Sequence, residues 1–399
     1  MRLRLMISIV ILGLSQMSWA TTLHVAVVTA SEIEMADRGM SFAGIQTRTD
    51  RSVERAVRLA LHESQTTFAA FGVEVKTAQI DLVTDKPVRE QLTETHPNAL
   101  IILDIPKSMF SAVANTLSEM NRTTINVRHS DITLRDELCL QSLYHTIPSD
   151  RMYFDALAQF LVYRGWRKVL IVHGPEKDDK QRMLILERSL RKFGADVSDI
   201  RQFSLSHHPD DRDKNQPEFL TGGIPYDVVA VVDTKRDFGR YIQYQTRRAR
   251  PVVGDVGLTP RGWHRTLERY GAPQLNERFR SFDLDQHLPP TEAMSDEEFA
   301  AWSAVKIITN NLDVLTHEVT ASINPRAILD HPETHVDLYK GTRGSIRRWN
   351  HQLRQPILLA TEDTVIAVAP MPKFLHSTHF IDTLGLDEPE SACYLGKTE

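Results

Sequence analysis

The sequence predicts an α/β protein of two Rossmann-like lobes with parallel sheets, joined by a multi-crossing hinge. Three observations carry that expectation. Short apolar runs such as Ala99-Leu100-Ile101-Ile102-Leu103 and Val228-Val229-Ala230-Val231-Val232 read as strands buried on both faces. Segments with one apolar helical face alternate with these runs, as strand–helix–strand units require. The alternation, complete once by Val127, then begins afresh near residue 150.

In chain order, Leu23 to Val28 is expected as a strand. A long helix follows, with Val53, Val57, Leu61, Phe68 and Phe71 mostly on one side, and Gly72 ends it. Val73 to Asp81 reads as extended, Val88 to Thr95 as helical and Ala99 to Leu103 as a second buried strand. A helix from about Ser108 to Met120 and a strand from Thr124 to Val127 close the first series. In "TIPSDRMYFDALAQFLVYRGWRKVLIVHGPE", Phe154, Leu157, Ala158 and Leu161 recur at helical spacing, Gly165 stops the helix, and Val169 to Val172 is a new strand. A helix over 180–193, a strand near 197–205, the strand ending at Val232, a helix from about Arg236 to Arg247 and the strand Pro251 to Val253 complete the second series. Beyond Leu258, Arg261 to Tyr270 and Asp296 to Ala321 read as helices. The late extended runs Arg354 to Ala360 and Thr364 to Ala369 are expected to return to an existing lobe. The boundaries are therefore 21–147 and 258–340 for lobe 1, with 148–257 and 341–399, including the C-terminal tail, for lobe 2.

Residues 1–20 read as a signal peptide. Met1-Arg2-Leu3-Arg4 is a basic start, Leu5 to Leu14 is an apolar core, and Ser18-Trp19-Ala20 supplies small residues for cleavage. The core, about ten residues long, is too short to span a bilayer of about 30 Å. No later stretch is apolar enough to span a membrane, so export to the periplasm is expected. The 399 residues suffice for two domains. A formal charge of −5, more negative still without Arg2 and Arg4, offers no electrostatic footprint for nucleic acid. Two cysteines, Cys139 and Cys393, read as one disulfide in an oxidising compartment.

Motifs of catalysis are missing from the sequence: no G-x-x-x-x-G-K-[ST] loop, no G-x-G-x-x-G after a strand, no G-x-S-x-G elbow and no H-E-x-x-H. No enzyme activity and no cofactor are expected. "HHPDDRDKNQPE" (207–218) carries several metal-type donors but lacks the glycine of a calcium loop, and reads as a solvated loop before a helix, so a metal stays unassigned. Ser295-Asp296-Glu297-Glu298 reads as a helix cap with acids in the first turn.

The segment "HTIPSDRMYFDALAQFLVYRGWRKVLIV" (145–172) resembles the first crossing and second-lobe opening of type I periplasmic binding proteins, of which the branched-chain amino acid receptors of ABC transporters are familiar members. The resemblance covers nearly the whole chain after the leader, and it implies that Thr146 to Asp150 is a hinge. "RPVVGDVGLTPRGWHRTLERYGAPQLNERF" (250–279), "WNHQLRQPILLAT" (349–361) and "DTLGLDEPESAC" (382–393) resemble, more narrowly, the substrate-binding proteins found with PQQ-dependent alcohol dehydrogenase systems. One departure stands out: "HESQTTFAAFG" (62–72) replaces an Asn-rich turn at what the resemblance makes a cleft edge. The implied function is capture of a small ligand between the lobes and delivery to an ABC transporter permease in the inner membrane, by a monomer. The alternative is a periplasmic sensor or assembly protein of a PQQ-dependent dehydrogenase system.

In open parallel sheets, ligands bind beyond the carboxyl ends of the strands. That rule nominates Ser31, Glu32, Asp104, Ser108, Arg128, His129 and Ser130 in lobe 1, and His173, Glu176, Asp233, Thr234 and Asp255 in lobe 2. Glu32, Asp104, Glu176, Asp233 and Asp255 are acidic and Arg128 is the one fixed cation of the set. The expected ligand therefore carries a positive group, an amine or a bound metal ion, alongside a carboxylate held by Arg128.

Overall fold

A strand such as Leu100–Asp104, with Leu100, Ile101, Ile102 and Leu103 all wholly buried, must be covered on both faces, and in the computed structural model of this protein it lies inside a parallel sheet. The structure describes residues 21–30, 41–42, 45–46, 53–204, 212–285, 293–315, 321–393 and 395. The signal segment 1–20, Ser31, Glu32 and the stretch His207 to Asp211 lie outside the described residues.

In the first lobe the strands are β1 (Thr21–Ala30), β2 (Val73–Leu82), β3 (Leu100–Asp104), β4 (Thr123–Asn126) and β5 (Leu143–His145), ordered β2-β1-β3-β4-β5 and all parallel. In the second they are β6 (Lys168–His173), β7 (Asp196–Gln202), β8 (Val228–Val232) and β9 (Val252–Gly254), ordered β9-β8-β6-β7, again all parallel. Both sheets place their second strand outside the first and build the others on its opposite side. The tandem α/β lobes share one topology.

Strand periodicity divides each lobe into two cores. Leu100 and Ile102 face a cluster with α1 (Glu54–Glu63), α8 (Ala272–Asp285) and α9 (Asp296–Thr309), while Ile101 and Leu103 face Phe110 and Val113 of α4 (Lys107–Glu119). In lobe 2, Val169 and Ile171 meet α5 (Asp150–Tyr163) and α6 (Lys177–Phe193), and Leu170 and Val172 meet Phe238 and Ile242, the latter on α7 (Gly239–Gln245). Each such side chain contributes about 1.5–3 kcal/mol on full burial. First-lobe helices also include α2 (Gln65–Phe71) and α3 (Val88–Leu92). Local signals set the ends: Ser149 Oγ accepts the Met152 N–H at 3.2 Å, and Gly72 and Gly194 end α2 and α6 at φ 65° and 85°.

The chain passes between lobes three times, at 146–149, at 255–258 and at 355–356. Crossing backbone has no ladder to join, so side chains satisfy it. Gln355 Nε2 donates to the Thr146 carbonyl (2.6 Å), and Gln352 Nε2 and Arg135 donate to that of Ile147 (both 3.0 Å). Burial lowers the Arg135 guanidinium to about 10. Beside the third crossing, Lys340 Nζ donates to Gln355 Oε1 (2.7 Å) and the Pro356 carbonyl (3.2 Å) and lies 4.6 Å from the Phe299 ring centre. Burial lowers it to about 7.

A small antiparallel sheet, β10 (Thr259–Arg261), β14 (Ile357–Ala360) and β15 (Val365–Ala369), wedges between the lobes. Its centre strand serves both: Leu358 packs in the first core, Ile357 and Leu359 in the second. Ahead of it, β11 (Val336–Asp337), β12 (Arg343–Ile346) and β13 (Leu353–Arg354) form another small sheet. Val336, Leu338 and Leu353 pack in the first core, so the chain returns to lobe 2 at 355–356, where the sequence placed the return at 341.

Two helix expectations fail. Residues 261–270 are not helical; the backbone N–H of Trp263 is drawn to Asp296 Oδ1 at 2.7 Å, and the helix begins only after Gly271, as α8. The helix from Asp296 stops at Thr309. The tail packs on lobe 2 through Leu384, while its Asp382 accepts from Arg347 Nε (2.9 Å) and Arg354 Nε (2.8 Å), which precede the return to that lobe. Cys393 is bonded to Cys139 in lobe 1, with Cα atoms 5.5 Å apart and a sequence separation of 254. Among the described residues no helix is long and apolar enough to cross a membrane.

Candidate functional site

Where the carboxyl ends of the two sheets face each other, an inner chamber of about 180 Å³ adjoins a vestibule of about 1010 Å³. Both lobes and a crossing build the chamber. Arg128 follows β4, and Asp296 and Glu297 open α9; from lobe 2 come Tyr153 on α5, Arg182 on α6 and Asp255 after β9; Arg261 ends β10. Arg236, held at φ 55° with its N–H on the Asp233 carbonyl (3.0 Å), adds a fourth arginine to the wall.

Carboxylates behind the wall orient the arginines. Asp104, wholly buried, pairs with Arg128 Nε and also accepts the Val53 N–H at 3.2 Å. Arg182 pairs with Asp150 and, at 2.7 Å, with Asp255. Burial alone would lower the Arg182 guanidinium; Asp150 and Asp255 outweigh it and raise it. Asp255 Oδ2 accepts the Asp233 N–H at 2.9 Å. Asp296 accepts the Tyr153 hydroxyl at 3.4 Å, a bond from lobe 2 to lobe 1, and burial raises its carboxyl. Between the lobes, Lys107 of lobe 1 bonds Asp131 of its own lobe and Asp178 of lobe 2, the latter at 3.0 Å. The lobes thus touch through polar contacts around a space that suits a small molecule.

Residues 37–225 match the model of the receptor family ligand binding region. No curated protein matches the chain. Solved structures do. A branched chain amino acid ABC transporter periplasmic ligand-binding protein from Burkholderia xenovorans is 12% identical, with 94% of this chain and 100% of that one covered at a TM-score of 0.68. A solute binding protein of an ABC transporter from R. palustris, in complex with benzoate, is 12% identical over 93% and 99% of the two chains, TM-score 0.59. A branched-chain amino acid transporter substrate binding protein from Streptococcus pneumoniae, in complex with isoleucine, is 12% identical over 87% and 99%, TM-score 0.56. The fold is that of the type I periplasmic binding proteins.

Within that periplasmic binding protein fold the strand-end residues separate into three groups. Arg128, Ser130 and Asp255 line the chamber, and Thr234 lines the vestibule. Asp104, His129, His173, Glu176 and Asp233 serve the scaffold. His129 Nε2 meets the Ile105 carbonyl (2.8 Å), His173 Nδ1 meets the Gly174 carbonyl (2.7 Å), and Glu176 caps α6 while accepting from Lys235 (2.9 Å). Asp233 accepts the Gly239 N–H at 2.8 Å, and its carboxyl is pushed up to about 6 by burial. Ser108 stands exposed on the first turn of α4. The charge balance also differs from the one the strand ends imply: four arginines, 128, 182, 236 and 261, face three carboxylates, 255, 296 and 297. Among the described residues no group of three or more His, Cys, Asp or Glu could hold a metal ion.

Tyr153, Arg182, Arg236, Arg261, Asp296 and Glu297 were not legible as cleft residues. Arg182 and Tyr153 sit on helices, where a strand-end rule does not look, and Asp296 and Glu297 read as an ordinary cap. Ser295 does cap α9, accepting the Glu298 N–H at 3.1 Å, but the same turn faces the chamber. The tract at 62–72 does not edge the cleft: Glu63 accepts from Trp302 Nε1 (3.0 Å) and Arg278 Nε (2.5 Å) on the far side of lobe 1. Trp302 is core, and Trp263 is both core, stacked on Phe299 at 4.4 Å, and vestibule wall.

Proposed function

We propose that this protein is a solute-binding protein of the periplasm, which captures a small ligand in the interlobe chamber and delivers it to an ABC transporter in the inner membrane. The observation that supports this most directly is the chamber wall, drawn from both lobes and a hinge crossing, so that one small molecule touches all three at once. A ligand with such contacts binds the closed arrangement better than an open one and so selects it. The narrower resemblance of residues 250–279, 349–361 and 382–393 supports a link to quinoprotein alcohol oxidation. Mass spectrometry of small molecules released from protein isolated from its own cells tests the core of the proposal: one bound metabolite, retained through purification and re-bound by the emptied protein, is expected. Protein that carries nothing and binds nothing sinks it. Re-binding together with unimpaired ligand uptake by cells lacking the protein points instead to a sensor or assembly role.

A further inference from the structure

We infer that the inner chamber takes a compact organic acid without an ammonium group, and discriminates against the α-amino acid of the same skeleton. The inference rests on the solute-binding reading above and narrows it to a ligand class. It follows from which donors and acceptors of the wall are already committed. A guanidinium offers five N–H donors and no acceptor, while an ionised carboxylate only accepts.

Each oxygen of the two wall aspartates already accepts one bond. Asp255 uses Oδ1 for Arg182 and Oδ2 for the Asp233 N–H. Asp296 uses Oδ1 for the Trp263 N–H and Oδ2 for the Tyr153 hydroxyl. Behind them, Asp150 Oδ1 receives both Ser130 Oγ and Arg182. Of the three wall carboxylates, Glu297 is the one with no hydrogen bond or ion pair to its side chain among the described residues.

Some donors, by contrast, are not committed. Arg182 Nε is buried without a hydrogen-bond partner. Arg261 commits Nε to Thr259 Oγ1 at 3.3 Å, but its terminal nitrogens reach only 3.9 Å from Asp296, outside hydrogen-bond range. A carboxylate meets such donors with charge-assisted and, for arginine, two-pronged bonds. An ammonium would find Glu297 and the remaining lone pairs of the already paired Asp255 and Asp296, inside a ring of four guanidinium groups that repel it. The volume of about 180 Å³ suits a small molecule, since a cavity of about 150 Å³ accepts benzene.

Matched pairs test this by titration calorimetry on the whole protein: succinate against aspartate, propionate against alanine, 3-phenylpropanoate against phenylalanine. In every pair that binds, the acid is expected to be at least about tenfold tighter. Equal or tighter binding of the amino acid overturns the inference. Glu297→Gln provides an independent arm, because this half-buried carboxylate has no side-chain bond to lose among the described residues. It is expected to strengthen the preferred probe by about threefold by removing a like charge. Weakening identifies Glu297 as an ammonium acceptor and overturns it. Arg261→Gln is expected to weaken the same probe about tenfold with an unchanged melting curve. Should all six probes fail, the molecule released from native protein decides: an acid without an amine supports the inference, and an amine-bearing one overturns it. Folded protein that binds no probe and carries no molecule overturns the solute-binding reading itself, which is a separate failure.

Discussion

Asp104 ends β3, where a ligand of an open parallel sheet is sought, yet it is wholly buried, with one oxygen toward Arg128 Nε and the other accepting the Val53 N–H. Its work is to aim Arg128. Asp104→Asn removes the charge facing a guanidinium that is only 10% exposed, and is expected to cost about 3 kcal/mol in urea unfolding. A loss below about 0.5 kcal/mol, the range of an ordinary surface substitution, would show the pair to be dispensable. Lys340 makes a second residue-scale case. Its Nζ has a carbonyl, an amide oxygen and a ring face, but no carboxylate, within bonding distance, and burial lowers it to about 7. A lysine depressed in the fold holds its proton more tightly in the unfolded chain. Between about 7 and the ordinary value of about 10.4, the unfolded state therefore carries more protons, and stability rises with pH across that window. Lys340→Met should abolish this rise; urea midpoints of both proteins at pH 6, 8 and 9.5 measure it, and parallel curves would disprove the buried ammonium.

At the scale of elements, β3, β6 and β8 were readable because a run of buried β-branched and aliphatic residues has few alternatives, whereas β2 and β7, largely unburied, read only as extended. The three residues of β5 were too short to signal. Helix α8 carries a pattern of its own, with Ala272, Leu275, Phe279 and Phe282 on one buried face, while the run before Gly271, which reads as helical in sequence, is irregular. What keeps 262–270 irregular is a contact 33 residues away, Trp263 to Asp296, which no local pattern contains. The tail is held as an element by the Arg347–Asp382–Arg354 cluster and by the Cys139–Cys393 bond. Closing a loop of 254 residues stabilises by about 5 kcal/mol at most in the chain-entropy model. Reduction is expected to lower the melting temperature and to expose residues beyond about 380 to protease first. Unfolded, unreduced protein should show no free thiol; two would remove the bond.

For the whole molecule the decisive feature is that two cores share three crossings and a wedged strand. Leu358 in one core and Ile357 and Leu359 in the other make β14 a part of both lobes, so rotation of the lobes must be absorbed at the crossings. X-ray scattering with and without the natural ligand should show a smaller radius of gyration when bound; unchanged shape at saturation would argue against closure. Lys107→Glu places a negative charge against Asp131 and, across the lobes, Asp178. Since these groups are partly exposed, the expected loss of affinity is modest, up to about fivefold, and fades in high salt. Calorimetry at 20 mM and 500 mM salt would show it, and equal losses at both would assign the effect to something other than charge.

By itself the sequence determined the two α/β lobes, their order and the place of the first crossing, because buried strands and amphipathic helices write their periodicity into consecutive residues. Of the residues it nominated just past strands, Arg128, Ser130 and Asp255 line the chamber and Thr234 lines the vestibule. Only the tertiary structure decided which charges face the ligand. Pairing partners such as Asp104 with Arg128, or Arg182 with Asp150 and Asp255, are chosen by proximity in space between residues 24 to 73 positions apart, and burial then fixes which carboxylates support the wall and which guanidiniums are turned toward the chamber.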